Sequence, residues 1–143
     1  MLIACNVHWE MGHRIPEHPG LCRNVHGHSY RMRVGVEGSV QPSGMVMDFF
    51  DLRGIIQPIV DDLDHSFLCD EHDAVMRDFF AAHPMKVVVV PFATTVENIS
   101  QHVLEMVCGR LKAFGFIQAV TVRIEETASS FAEARAVVSP DAP

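Results

Sequence analysis

The sequence predicts an α+β fold in which an antiparallel sheet carries helices on one face. Two segments near the N-terminus and two near the C-terminus alternate apolar and polar residues with a period of two, as half-buried strands do. Between them lie stretches whose apolar residues recur at helical spacing. The predicted order is β-β-α-α-β-β, with four antiparallel strands and two main helices.

The first two predicted strands bring histidines to their apolar faces. Residues 3–11 alternate, and continuing the count places His13 on the apolar face at the end of the strand. Residues 30–36 alternate in the same way, and counting backwards places His28 and His26 on that strand's apolar face. We expect the two strands to pair antiparallel.

The helical segments follow a Ser-Gly turn. Asp48 is a suitable N-cap for a helix that reaches residue 63, and Pro58 should kink it because its ring clashes with an earlier carbonyl. A short helix is predicted over residues 73–82. A longer one is predicted over residues 96–114, and the glycine that follows suits a helix C-terminus.

The last two predicted strands span residues 120–125 and 132–138. With 143 residues and 48% hydrophobic content, the chain is expected to be one domain over residues 1–138, followed by a frayed tail at 139–143. The longest apolar run, at 87–93, contains a proline and is too short to span a membrane. No signal peptide opens the chain, so a cytoplasmic protein without a membrane partner is expected.

The net charge of −7 argues against a nucleic-acid partner, whose phosphates require a basic surface. The charge is nevertheless uneven. Four arginines near the N-terminus keep a small anionic ligand possible there: Arg14, Arg23, Arg31 and Arg33.

The motif His26-Gly27-His28 is the clearest chemical feature. Residues two apart on a strand point the same way, so both imidazoles can reach one ion, and His13 on the neighbouring strand can supply a third nitrogen. Three histidines suit Zn²⁺ and leave a fourth position open, which is the catalytic pattern. The alternative is three unrelated, half-buried histidines.

Cys22 precedes this motif in a loop, whereas the other three cysteines fit strands or helices. All four are expected to be free thiols in a cytosolic chain. A nearby cation would make the Cys22 thiol a usable base. Alternatively, Cys22 is a fourth ligand that closes a structural Cys-His₃ zinc site.

Three acidic positions have both structural and chemical interpretations. Asp64 next to His65 could orient the imidazole as a dyad, or form a capping or surface pair. Thr94 with Glu97 three residues later is typical of a capping box. Glu126 shares the apolar face of the third strand, so its carboxylate needs either a ligand or a backbone turn as partner.

These motifs together resemble the 6-pyruvoyl-tetrahydropterin synthase family, most of all its bacterial 6-carboxy-tetrahydropterin synthase branch. The resemblance extends from about residue 13 to residue 126. It is carried, in chain order, by Gly12-His13-Arg14, Cys22 to Tyr30, Gly44 to Phe49, Leu63-Asp64-His65, Thr95 to Asn98, and Glu126-Thr127.

The resemblance implies a tunnel-type (T-fold) sheet that assembles into a barrel-shaped homohexamer with sites between subunits. It implies zinc ligation by His13, His26 and His28. It implies catalytic roles for Cys22, Asp64, His65 and Glu126, with Thr95, Glu97 and Glu126 at the substrate. The implied substrate is 7,8-dihydroneopterin triphosphate, and the carboxy branch releases acetaldehyde and triphosphate on the route to queuosine, whereas the pyruvoyl branch stops earlier.

Overall fold

The computed structural model describes residues 1–138, so the tail predicted at 139–143 lies outside the described residues. Nine helices and strands lie in this part of the chain: β1 (Leu2–His13), β2 (His26–Gly38), α1 (Phe49–Leu63), β3 (Ser66–Asp70), α2 (Ala74–Ala82), β4 (Val87–Val90), α3 (Val96–Leu111), β5 (Ile117–Thr127) and β6 (Ser130–Val137). A 3₁₀ turn at Leu21–Arg23 lies between β1 and β2.

The sheet has six strands in the order β4-β3-β1-β2-β5-β6, so the predicted four-stranded antiparallel sheet is wrong in strand number and partly in direction. The predicted strands β1, β2, β5 and β6 do pair antiparallel. The two additional strands, β3 and β4, run parallel to β1 and to each other. Alternation could not reveal them, because four of the five residues of β3 are buried and β4 has only four residues.

The helices α1 and α3 cover one face of the sheet and enclose the main core, as predicted. Their buried stripes pack against residues of β1, β2 and β5 such as Trp9, Val34 and Val122, each at most 1% exposed. The opposite face of the same strands is polar and exposed, with Asn6 and Arg33 at paired positions. The two faces therefore differ as expected for a sheet covered on one side.

The helix boundaries agree with the predictions in most respects. Asp48 caps α1 by accepting a hydrogen bond from the amide of Phe50, and α1 continues as one helix through Pro58. Asp73 caps α2, which ends at Ala82 as predicted. The last main helix ends at residue 111, three residues earlier than predicted. No helix within residues 1–138 is long and apolar enough to cross a membrane.

Candidate metal centre and active site

Three histidines meet at the paired ends of β1 and β2, as strand parity predicted. His13 lies directly opposite His26, and Met11 lies opposite His28. One ring nitrogen of each histidine lies within 4.8 Å of the corresponding atoms of the other two. The alternative of three unrelated histidines is therefore wrong, and His13, His26 and His28 form one group with the spacing of a metal site.

Gly27 allows the two strands to approach at this point. A Cβ atom at Gly27 would lie 3.0 Å from the backbone oxygen of Met11, closer than real Cβ atoms usually come. Because the clash would be with backbone, a larger residue would push the strand ends apart. The glycine thus permits the strand spacing at which His13 and His26 face each other.

Backbone carbonyls orient two of the three imidazoles. The Nδ1 atom of His13 lies 2.7 Å from the carbonyl oxygen of Thr94, and that of His26 lies 2.8 Å from the carbonyl oxygen of Asn24. A carbonyl can only accept, so each ring carries its proton on Nδ1 and keeps the Nε2 lone pair free. Such a bond to the outer nitrogen is the usual arrangement behind a metal-binding histidine.

The chemistry of the group fits a divalent metal such as Zn²⁺. The Nε2 atom of His28 is buried and has no hydrogen-bond partner within residues 1–138, which is the position a metal ion would satisfy. Burial lowers the pKa of both His13 and His28, so their imidazoles are neutral at physiological pH. Neutral imidazole is the form that binds metal.

Glu126 faces the histidines, as the parity of β5 predicted. Its Oε1 atom lies 3.4 Å from Nε2 of His13 and 3.6 Å from Nε2 of His28. The hydroxyl of Tyr30 donates to the same oxygen over 3.1 Å. The pairing of β5 with β6 shifts register at this residue. The carboxylate therefore has side-chain partners within the site, and a simple backbone turn does not account for it.

Tyr30 is a member of the site that the sequence analysis did not identify. Its side chain is fully buried, and its hydroxyl also lies 3.3 Å from Nε2 of His13. Burial and the neighbouring Glu126 carboxylate raise the pKa of Tyr30, so the hydroxyl keeps its proton and acts as a donor. The signal was available, because Tyr30 follows His28 by two residues on the same apolar face.

Cys22 is not part of the histidine group. It lies half-buried in the 3₁₀ turn, and its carbonyl accepts a hydrogen bond from the amide of Ile15 over 2.8 Å. Within residues 1–138, the one group with metal-ligand spacing contains histidines and no cysteine. This geometry favours a free thiol over a fourth ligand in the described chain.

Asp64 and His65 contact each other at the end of α1. The carboxylate Oδ2 of Asp64 lies 2.9 Å from Nδ1 of His65. Both residues are fixed by Glu10, whose amide donates to Oδ1 of Asp64 over 3.0 Å and whose carbonyl accepts from the amide of His65 over 2.7 Å. The hydrogen bond from the Glu10 amide, followed by the contact with the His65 ring, lowers the pKa of Asp64. A cavity of about 320 Å³ is lined by both His28 and His65.

The capping prediction at the start of α3 is wrong by one residue. Thr95 is the N-cap, and its hydroxyl accepts from the amide of Asn98 over 3.4 Å. Thr94 is buried instead, and its hydroxyl donates to the carbonyl oxygen of Arg14 over 2.9 Å. Glu97 lies in the first turn of the helix and is exposed. Only Thr94 has a glutamate three residues later, but either threonine can serve as an N-cap, so tertiary contacts decide between them.

An ion pair next to His13 also escaped the sequence analysis. Arg14 donates two hydrogen bonds of 2.6 Å to the carboxylate of Asp73, which is 4% exposed. The clustered arginines were noted in the sequence, but the partner lies 59 residues away. The pair links the end of β1 that carries His13 to the start of α2.

The sequence profile of the family described as 6-pyruvoyl tetrahydropterin synthase matches residues 2–137 of this chain. A 6-carboxy-5,6,7,8-tetrahydropterin synthase of Haemophilus influenzae is 33% identical over 133 residues, which cover 87% of this chain and 92% of that protein. The enzyme of the same name from Aquifex aeolicus is 32% identical over 120 residues, covering 78% of this chain and 74% of that protein.

Solved structures agree on the fold. A protein of Wolinella succinogenes superimposes with a TM-score of 0.77 at 25% identity, covering 96% of this chain and 97% of that one. The 6-pyruvoyl tetrahydropterin synthase of Plasmodium vivax gives a TM-score of 0.76 at 19% identity, covering 96% and 99%. The fold is thus that of this family's structures.

The chain belongs to the 6-pyruvoyl tetrahydropterin synthase family. Together with the named relatives, this membership identifies it as an enzyme, a lyase of the 6-carboxy/6-pyruvoyl-tetrahydropterin synthase type.

Proposed function

We propose that this protein converts 7,8-dihydroneopterin triphosphate to 6-carboxy-tetrahydropterin, with loss of acetaldehyde and triphosphate, on the route to queuosine and other 7-deazapurines. The observation that carries the proposal is the convergence of His13, His26 and His28 with the Glu126 carboxylate at one end of the sheet. The names of the Haemophilus influenzae and Aquifex aeolicus relatives support the carboxy branch. We place the enzyme in the cytoplasm, where its four free cysteines would remain reduced.

The metal that we propose is Zn²⁺, held by His13, His26 and His28. When bound, it supplies a Lewis acid that stabilises negative charge as protons leave the side chain of the substrate. The carbonyls of Thr94 and Asn24 would keep two of the rings in the ligating tautomer.

Glu126 is the proposed anchor for the pterin ring. Its carboxylate would accept hydrogen bonds from the exocyclic amino group and a ring N–H, which fixes the orientation of the substrate. The Oε2 atom has no hydrogen-bond partner among residues 1–138, and it is therefore available to a ligand. The proton of Tyr30 holds the other oxygen in place. Thr95 and Glu97, at the start of α3, would contact the ring as well.

Cys22 and the pair Asp64–His65 are the proposed proton-transfer groups. The Cys22 thiolate would abstract one proton from the side chain of the substrate, and the His65 imidazole, polarised by Asp64, would relay another. The contact of 2.9 Å between Asp64 and His65 supports the dyad. His65 shares a cavity with His28, whereas Cys22 lines neither cavity that contains His28. A neighbouring subunit is the proposed source of the groups that one chain does not bring together.

We accordingly propose a homohexamer with active sites between subunits. The edge strands β4 and β6 support this, because uncovered sheet edges favour association. Light scattering at micromolar concentration provides the measurement. A monomeric protein would contradict the proposed assembly.

The runner-up is the pyruvoyl synthase reaction, which the family description and the Plasmodium vivax structure favour. Incubation of the zinc-loaded protein with 7,8-dihydroneopterin triphosphate separates the two. Stoichiometric acetaldehyde would support the carboxy branch, and a diketone pterin formed without acetaldehyde would support the pyruvoyl branch. Absence of both products would contradict the proposed function.

A further inference from the structure

Two concave surfaces adjoin where the histidine-bearing end of the sheet meets its open face. A cavity of about 330 Å³ is lined by His28 and Glu126 together with Ser29, Arg31 and Glu125. The last three residues also line a groove of about 680 Å³ on the open face. The two spaces share these residues and therefore adjoin, and the path between them runs past the start of β2.

Two arginines along this path lack partners. Arg31 and Arg33 both line the groove, and neither makes a hydrogen bond or ion pair with any of residues 1–138. Arg31 lies opposite Glu125 in the pairing of β2 with β5. The Glu125 carboxylate, however, contacts Arg123 at 3.4 Å. Arg31 is therefore left free beside the site.

Arg33 faces another arginine across the strand pair. It lies directly opposite Arg123 in the register of β2 and β5, and like charges at opposed positions destabilise a sheet. Arg123 itself lies over the ring of Phe131 at 3.5 Å, and its Nε atom is buried without a partner. Because Arg123 is paired with Glu125 at 3.4 Å, the charge left without a partner at this position is that of Arg33.

We propose that Arg31 and Arg33 bind the triphosphate of the substrate. This inference rests on the proposed function and extends it to the part of the substrate that the metal centre does not contact. With the pterin ring at Glu126, the phosphate tail would follow the shared residues onto the open face. The planar guanidinium fork matches phosphate oxygens in geometry as well as charge.

Two acidic residues line the groove beside the arginines, so a phosphate would bind at the arginines and not throughout the groove. Glu10 and Glu125 also line it, so the groove is not uniformly basic. The charge of Glu125 is offset by Arg123, and the carboxylate of Glu10 accepts a hydrogen bond from Ser29 over 2.8 Å. Arg31, at the junction of the two spaces, makes the larger contribution to binding.

Calorimetric titration of the zinc-loaded protein with inorganic tripolyphosphate tests this subsite. Arg31→Gln should weaken binding about tenfold or more, the loss expected for a charge-assisted hydrogen bond, and Arg33→Gln should weaken it less. Arg53→Gln is the matched control, since Arg53 is an exposed arginine of α1 and should bind as wild type does. Chelation of zinc by the probe is common to all variants and cancels in the comparison.

A second titration uses 7,8-dihydroneopterin, which carries no phosphate. Its affinity should be the same in wild type and Arg31→Gln. In turnover with the triphosphate substrate, Arg31→Gln should raise KM and leave kcat nearly unchanged, the pattern of a lost uniform binding contact. Equal tripolyphosphate affinity in Arg31→Gln and Arg53→Gln would overturn the subsite, as would a change of oligomeric state in Arg31→Gln. Failure of the wild type to bind dihydroneopterin or to turn over would instead contradict the proposed function.

Discussion

The carbonyl oxygen of Thr94 lies 2.7 Å from Nδ1 of His13, although the two residues are 81 positions apart in the chain. The hydroxyl of the same threonine donates a hydrogen bond to the carbonyl oxygen of Arg14. Arg14 in turn forms its two hydrogen bonds with Asp73. The segment before α3 and the start of α2 therefore both hold the end of β1, and with it one proposed metal ligand.

Replacement of Asp73 by asparagine should test this support. Asparagine caps a helix as well as aspartate does, so α2 keeps its N-cap while the charged pair with Arg14 is lost. We expect a loss of about 2 kcal/mol in the free energy of unfolding, because hydrogen bonds to charged groups contribute about that much. Urea denaturation measures it, and a zinc titration should show weaker binding.

The matched control is Glu37→Gln, which breaks the exposed ion pair with Arg135 at 3.2 Å. Exposed pairs contribute at most about 1 kcal/mol, so this variant should remain close to wild type in stability and in zinc affinity. Equal effects of the two substitutions would show that Asp73 gives the proposed metal centre no particular support.

The two adjacent glutamates of β5 provide a comparison at the substrate. Glu126→Gln exchanges an acceptor for a donor and should cost about 2–4 kcal/mol of substrate binding, roughly two orders of magnitude or more in Kd. Glu125→Gln should not weaken binding of the pterin, because its side chain faces the open side of the sheet. Zinc content should be normal in both variants. A stronger effect at Glu125 would show that the anchor is misassigned.

Metal occupancy separates the roles of His26 and Cys22. His26→Ala should lose zinc, whereas Cys22→Ala should retain one ion per chain and lose activity by about a hundredfold or more, as expected for a lost proton-transfer group. Elemental analysis and turnover measure the two effects, with Cys108→Ala as the thiol control. An intense thiolate-to-metal band in the ligand-free cobalt-substituted protein would instead make Cys22 a ligand.

Acid should destabilise the metal-free protein partly through His13. The unfolded chain binds a proton at His13 near the ordinary pKa of 6.5, whereas burial lowers the pKa in the folded protein. The unfolded state therefore binds more protons below pH 6.5, and the stability contributed by neutral His13 is present above that pH and is lost as the pH falls through the lowered pKa.

Urea midpoints of the metal-free protein at pH 7.5 and at pH 5.5 measure this effect. The midpoint should be lower at the acidic pH, and the difference should be smaller in His13→Gln, which cannot take up the proton but can still donate to the carbonyl of Thr94. An unchanged difference would assign the acid sensitivity to other groups.

Strand parity was sufficient to predict most of the candidate site. It placed His13, His26, His28 and Glu126 on one face, because a strand has a strict period of two and its register extends to the strand ends. The long helices were predictable from their apolar stripes and caps for the same kind of local reason.

What could not be predicted depends on contacts between distant segments. The parallel strands β3 and β4 are too short and too uniformly apolar to show alternation, although the run of valines at 87–90 has the composition of a strand. The choice of Thr95 over Thr94 as the cap depends on the contacts of Thr94 with His13 and Arg14, which no local pattern contains.

His65 has a backbone φ of 55°, the one positive value at a non-glycine residue within residues 1–138. This left-handed conformation costs an ordinary residue on the order of 1 kcal/mol and costs glycine almost nothing. His65→Gly is therefore expected to maintain or raise the melting temperature while it removes the imidazole of the proposed dyad. Selection of variants for heat resistance alone would favour the loss of this residue, so a screen that is to preserve an active enzyme has to score turnover together with stability.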